Sequence, residues 1–134
     1  MLFLFAVLGC GPDTGGFDYV PVSGIITMDG QPLHDVKVGF IPSGSDFKVG
    51  LPSFGWTDES GHYTVKTFKG IEGAVVGSHR VSVSTLILDS NTKVVLREES
   101  IPTRYNTRSE LTFDVPSDGT TTANFDLESS KRKR

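Results

Sequence analysis

The side chains able to do chemistry are few and scattered. The chain holds one cysteine, Cys10, and three histidines, His34, His62 and His79. A zinc site needs Cys and His ligands at short, paired spacing, and no two of these residues have it. No metal centre is therefore expected. Asp58-Glu59-Ser60-Gly61 is an acidic stretch that could suggest a calcium loop. A calcium loop of the EF-hand type sets its acids at alternate positions and closes with a Glu at the twelfth, which this stretch does not do. It reads instead as a hairpin turn with Gly61 at positive φ. No Gly-x-Ser-x-Gly elbow occurs. Each histidine is expected on a turn or a strand surface. Asp58, Asp114 and Asp126 are expected on turns or outward strand positions, where solvent keeps a carboxyl pKa ordinary. The expectation is no catalytic residue, no cofactor and no enzyme. Two aromatic residues remain for recognition: Phe54 and Trp56 flank Gly55 behind a Pro- and Gly-rich loop. They read either as edge-strand core packing or as a platform for a carbohydrate or peptide.

The thiol has its own chemistry. Residues 2–8 form an unbroken apolar run that is too short to span a bilayer but has the length of a signal-peptide core. Gly9 and Cys10 follow, then Gly11-Pro12-Asp13-Thr14-Gly15-Gly16, a polar stretch without a core-forming pattern. Val7-Leu8-Gly9-Cys10 resembles the lipobox of bacterial lipoproteins. The resemblance implies that the Cys10 sulfur takes a diacylglycerol and that the leader is then cut away before it. No Lys or Arg precedes the apolar run, which departs from that family's pattern and leaves either a start further upstream or an atypical leader. Each buried acyl methylene contributes about 0.8 kcal/mol, so two or three chains anchor stably where one does not.

The elements that must carry these residues repeat every two positions, not every 3.6. Val22, Gly24, Ile26 and Met28 alternate with Ser23, Ile25 and Thr27, and Asp29-Gly30 turns the chain. Val36, Val38 and Phe40 form a second run, and residues 53–57 a weak third. Tyr63, Val65 and Thr67 follow the Gly61 turn. In the longest run Val81, Val83, Thr85 and Ile87 share a face, with Leu86 and Leu88 on the other. Residues 89–107 read as a polar connection broken by Pro102. Leu111, Phe113 and Val115, then Ala123, Phe125 and Leu127, complete the series. About seven short strands with turns between them predict an all-β, antiparallel seven-stranded sandwich. Its expected core is Val22, Ile26, Val36, Val38, Phe40, Tyr63, Val65, Val81, Val83, Leu111, Phe113, Val115, Phe125 and Leu127. Each contributes about 1.5–3 kcal/mol on burial before entropy is subtracted, so the fold needs no disulfide.

The chain's 134 residues suit one domain. The expected organisation is a signal peptide at 1–9, a lipidated Cys10 and flexible tether over 10–19, a sandwich over 20–128 and a basic tail at 129–134. Hydrophobic residues at 37% allow a packed core, and a net charge of −3 gives no general drive toward nucleic acid. Lys131-Arg132-Lys133-Arg134 reads as a solvated terminus able to touch anionic headgroups.

Val22-Ser23-Gly24-Ile25-Ile26-Thr27-Met28-Asp29-Gly30-Gln31-Pro32-Leu33, with Val36 and Val38 behind it, resembles the opening of carboxypeptidase regulatory-like domains. Thr57-Asp58-Glu59-Ser60-Gly61-His62-Tyr63-Thr64-Val65 resembles that family's second hairpin. Residues 101–115 and 122–127 are similar to small lipoproteins of planctomycete-type bacteria. The resemblance implies a prealbumin/Ig-like sandwich and says little of activity, since turn and core residues carry it. Transthyretin-like hydrolases share that fold but end in a Tyr-Arg-Gly-Ser motif, absent here. The leading expectation is a non-catalytic module anchored to the bacterial cell envelope through acylated Cys10, docking an envelope protein or glycan through Phe54 and Trp56. A small-ligand-binding or transport lipoprotein with a pocket over residues 47–56 is the alternative, and a hydrolase ranks third.

Overall fold

The computed structural model describes residues 14–43 and 50–129, and within them the chain is all-β. Its strands are β1 (Tyr19–Val20), β2 (Ser23–Met28), β3 (Gln31–Pro32), β4 (Lys37–Pro42), β5 (Ser53–Trp56), β6 (His62–Thr64) and β7 (Lys66–Thr67). They continue as β8 (Ala74–Val75), β9 (Gly77–Ser84), β10 (Ile87–Leu88), β11 (Val95–Arg97), β12 (Leu111–Val115) and β13 (Phe125–Leu127). One 3-10 turn, Thr103–Tyr105, interrupts them. The expected runs are present but cut shorter. No described helix is long and apolar enough to cross a membrane.

Two sheets face each other. One has the order β12-β9-β4-β5-β7, antiparallel throughout. In the other, β2 carries β13 on one side and β3 and β6 on the other. The β13–β2 pair is parallel, so the sandwich departs there from the antiparallel rule. Two small ribbons flank the sandwich. β1 pairs with β8, and β10 pairs with β11. Pairing therefore begins at Tyr19, one residue inside the stretch expected to be tether.

Period-two alternation puts one face of each strand between the sheets. The core joins Val22, Ile26, Val36, Val38, Phe40, Tyr63, Val65, Val81, Val83, Val115, Phe125 and Leu127. Leu111 and Phe113 were expected in it, but they are only partly buried against it, because β12 is the outer strand of its sheet. Ile71, Ala74, Val75, Ile101 and Ala123 are buried as well. Phe40 lies at the centre, with ring centroids 6.3 Å from Tyr63, 6.0 Å from Phe113 and 6.4 Å from Phe125. The Tyr63 hydroxyl donates to the Ala123 carbonyl at 2.6 Å, and burial pushes its pKa above the ordinary phenol value.

The expected long strand through Leu88 ends at Ser84. The cause is a carboxylate. Glu99 accepts hydrogen bonds from the Ser84 hydroxyl, the Thr85 amide and hydroxyl, and the Ile101 amide. Burial raises its pKa, but these four donors outweigh burial and hold it below the usual value. Buried Asn106 fixes the same region by donating to the carbonyls of Val83, Ile101 and Pro102. The chain between these anchors leaves the sandwich as the β10–β11 hairpin, within what was expected to be a long polar connection over residues 89–107.

Candidate interaction surface

Phe54 and Trp56 sit two positions apart on β5, which runs inside the five-stranded sheet between β4 and β7. Ser53 and Thr57 point inward and are buried. The two rings therefore fall on the outer face, which corrects the reading of them as edge-strand core. The Phe54 ring lies over Gly39, where an added Cβ would come within 3.0 Å of it, and the Lys37 ammonium stands 4.6 Å from its centroid. Trp56 is 45% exposed, with the Arg97 guanidinium 5.9 Å from its ring. Each ring is thus already met by a cation.

Arg97 also pins the hairpin to the sandwich. Its Nε donates to the Thr85 carbonyl at 2.6 Å, and its other nitrogens reach the Asp35 carboxylate at 2.9 Å and the Asp35 carbonyl at 2.7 Å. Beyond this clamp the hairpin exposes aliphatic side chains: Leu88, Val94, Val95 and Leu96, the last at 63%, with Leu86 at its base. Its tip is polar. Asp89 accepts from the Asn91 and Thr92 amides, both at 2.8 Å, and Lys93 takes a positive φ of 64°. Those amides, Thr92 first, lower the Asp89 pKa. Sequence reading missed this surface because a projecting ribbon and a core strand share the same alternation. The unbroken run Val94-Val95-Leu96 was the available signal, since consecutive apolar residues put apolar groups on both faces of a strand.

The hairpin and the amino-terminal segment leave opposite ends of the sandwich. β1 pairs with β8, which leads directly into the start of β9 at Gly77. The hairpin begins just after β9 ends at Ser84. Eight strand residues at about 3.3 Å each separate the two ends by roughly 26 Å. Cys10, the leader, Phe47 and the tail Lys131-Arg132-Lys133-Arg134 lie outside the described residues.

The three histidines occupy different surroundings. His34 and His62 are exposed. His79 is fully buried on β9, which corrects its expected place on a surface. Its Nδ1 donates to the Gly77 carbonyl at 2.9 Å, and its Nε2 has no partner among the described residues. Among the described residues no three His, Cys, Asp or Glu side chains gather in a way that could hold a metal. Asp58 caps the Gly61 turn as expected: its Oδ1 accepts from the Ser60 hydroxyl and amide at 2.9 Å and the His62 amide at 3.0 Å. These bonds, the Ser60 hydroxyl first, lower its pKa, which corrects the expectation of an ordinary one. Gly61 has φ +82°, and a Cβ there would stand 2.6 Å from the Ile26 carbonyl oxygen. Gly61→Val is expected to cost about 1–3 kcal/mol by chemical denaturation. Added calcium should leave the melting temperature of the unsubstituted chain unchanged, since the Asp58 Oδ1 lone pairs already serve the turn.

Two hollows mark the surface. A groove of about 700 Å³ runs along Thr27, Asp29, Asp126 and Glu128. A hollow of about 230 Å³ lies against Phe17, Tyr19, Gly50, Leu51 and Lys69. Neither includes Trp56.

No family model matches the chain, and no curated protein matches it. A solved structure, a 9R-lipoxygenase from Cyanothece PCC8801, aligns with 83% of this chain at 16% identity and a TM-score of 0.41. The chain spans 16% of that protein's length.

Proposed function

We propose that this chain is a non-catalytic interaction module, held to the bacterial cell envelope by an acylated Cys10, that docks an envelope protein through its β10–β11 hairpin. The observation that carries the reading is the exposed aliphatic surface of Leu88, Val94, Val95 and Leu96. Several exposed apolar side chains gathered on one hairpin mark a candidate interaction site. A protein suits this surface better than a bilayer or a glycan. Insertion into lipid would bury the polar tip, residues 89–93, ahead of the apolar flanks. The hairpin also leaves the sandwich at the end away from the tether. Sugars stack on open aromatic faces, and here Arg97 and Lys37 already meet the rings of Trp56 and Phe54. The non-catalytic reading draws on His79, the one buried histidine, whose only hydrogen bond among the described residues goes to a backbone carbonyl. The small-ligand alternative over residues 47–56 is weaker, since the hollow at Tyr19 and Leu51 is below the ~300 Å³ at which ligand pockets begin, and the larger groove has Leu127 as its single apolar lining residue.

Two measurements test the reading. Expressed in a bacterial host, the full chain should sediment with membranes and yield an acylated Cys10 peptide by mass spectrometry, while Cys10→Ala stays soluble. Equal solubility of both, with no acylated peptide, removes the anchor. In the same cells, a photocrosslinker at position 96 should give one discrete protein adduct that Leu88→Glu abolishes. A crosslinker at position 112, on the outer sheet face, should give none. No adduct at 96, or equal labelling at 112, removes the docking surface.

A further inference from the structure

The buried histidine has no place in the docking reading, and its surroundings are unusual. His79 lies opposite Phe113 of β12 and Pro42 of β4, with the Phe40 ring 5.6 Å away in an edge-to-face arrangement. The Nδ1–H bond to Gly77 fixes the tautomer, so the unpartnered Nε2 carries a lone pair and no hydrogen. A neutral imidazole can occupy such a pocket. A protonated one would bring a charge and a second N–H into aromatic surroundings that offer no acceptor among the described residues. The charged groups nearby do not change this. On β12 the only one close by is Asp114, whose side chain is exposed and already accepts from the Ser78 hydroxyl at 2.7 Å. On β9 the neighbouring Arg80 is exposed. The β4 residues from Gly39 to Pro42 and Phe125 of β13 carry no charge. Burial accordingly lowers the His79 pKa, against smaller opposing effects of the Gly77 bond and Asp114.

What covers His79 is an outer strand of the sheet. β12 is its outer strand, bonded to β9 alone, and Phe113 is only partly buried. We propose that His79 is an acid-sensitive latch: protonation of Nε2 releases β12 from β9 and opens the Phe40–Phe113–Phe125 cluster to solvent. The sign follows from linkage. In the released state His79 has an ordinary pKa of about 6.5, and in the closed state a lower one. The closed state is fully favoured above pH 6.5. Below it, the open population rises by up to about tenfold per pH unit until the closed-state pKa is reached.

Amide hydrogen exchange, corrected for intrinsic rates, reads this directly. Between pH 6.5 and 5.5, protection of the Leu111–Val115 amides should fall by up to about fivefold, while amides of the β2–β6 pair keep theirs. His79→Leu, once its cooperative melt at pH 8 shows that it folds, should give a flat profile. NMR of the unsubstituted chain supplies a second measurement that needs no variant. The His79 ring should be the Nδ1–H tautomer at neutral pH and titrate below 6.5. Titration at the ordinary value, unchanged β12 protection, or a uniform loss across both sheets would each overturn the proposal.

Discussion

Phe40→Ala lowers the stability of the domain by about 3–5 kcal/mol, the range for removing a large aromatic side chain from a packed core. Few positions in the chain carry so many contacts between elements. The ring is fully buried on β4 and meets Tyr63 of β6, His79 of β9, Phe113 of β12 and Phe125 of β13. Those partners come from both sheets, so no single shift refills the cavity. Domains of this size are stable by about 5–15 kcal/mol, and the loss takes a large part of that. The midpoint of guanidinium unfolding, at unchanged slope, is the measurement. Phe68→Ala is the control, because that ring is 76% exposed and its loss should stay within about 0.5 kcal/mol. Equal effects at the two positions would mean that the aromatic cluster does not hold the sheets together.

The second large effect is expected at Gly55. An added Cβ there would stand 1.8 Å from the Thr64 carbonyl oxygen, and a backbone oxygen cannot rotate aside. Gly55 has an ordinary strand conformation, so the demand is for space and not for positive φ. Gly55→Ala must separate β5 from the segment carrying Thr64 and Val65, and it should cost about 3 kcal/mol or more. Gly39→Ala makes the comparison. Its Cβ would meet the Ser82 hydroxyl at 2.9 Å and the Phe54 ring at 3.0 Å, both ends of side chains that can turn. Its cost should be smaller, and it should move the Phe54 ring away from Lys37. Urea denaturation of the two variants side by side decides the matter. A Gly39 loss equal to or above the Gly55 loss would contradict it.

Alternation made the sandwich legible, and the same alternation shows where reading stopped. His79, Val81 and Val83 share one face of β9, so period two alone buries the histidine. Its polarity argued for the surface and was the wrong guide, because one backbone bond satisfies half of the ring. In β5 the reverse happened. Ser53 and Thr57 turn inward, where Ser53 donates to the Gly73 carbonyl and Thr57 accepts from the Val36 amide. The large rings Phe54 and Trp56 are left outside. Side-chain size was a poorer guide than parity. The hairpin was not legible for another reason. What ends β9 is Glu99, fifteen positions beyond Ser84, and no local pattern announces a bond across that distance.

The parallel pair of β2 and β13 has a consequence for how the chain comes to fold. Thr27 and Asp126, which share a hydrogen bond at 2.7 Å, are 99 positions apart, and Ile26 pairs with Phe125 across the same span. The strand that opens the sandwich is completed only by the strand that ends it. Closing so long a loop costs entropy before any contact repays it, and high contact order slows folding toward the millisecond-to-second range. A nascent chain therefore cannot finish its second sheet until Leu127 has emerged. Until then Ile26 and its neighbours wait without their last partner, so the earlier strands must stay soluble without it.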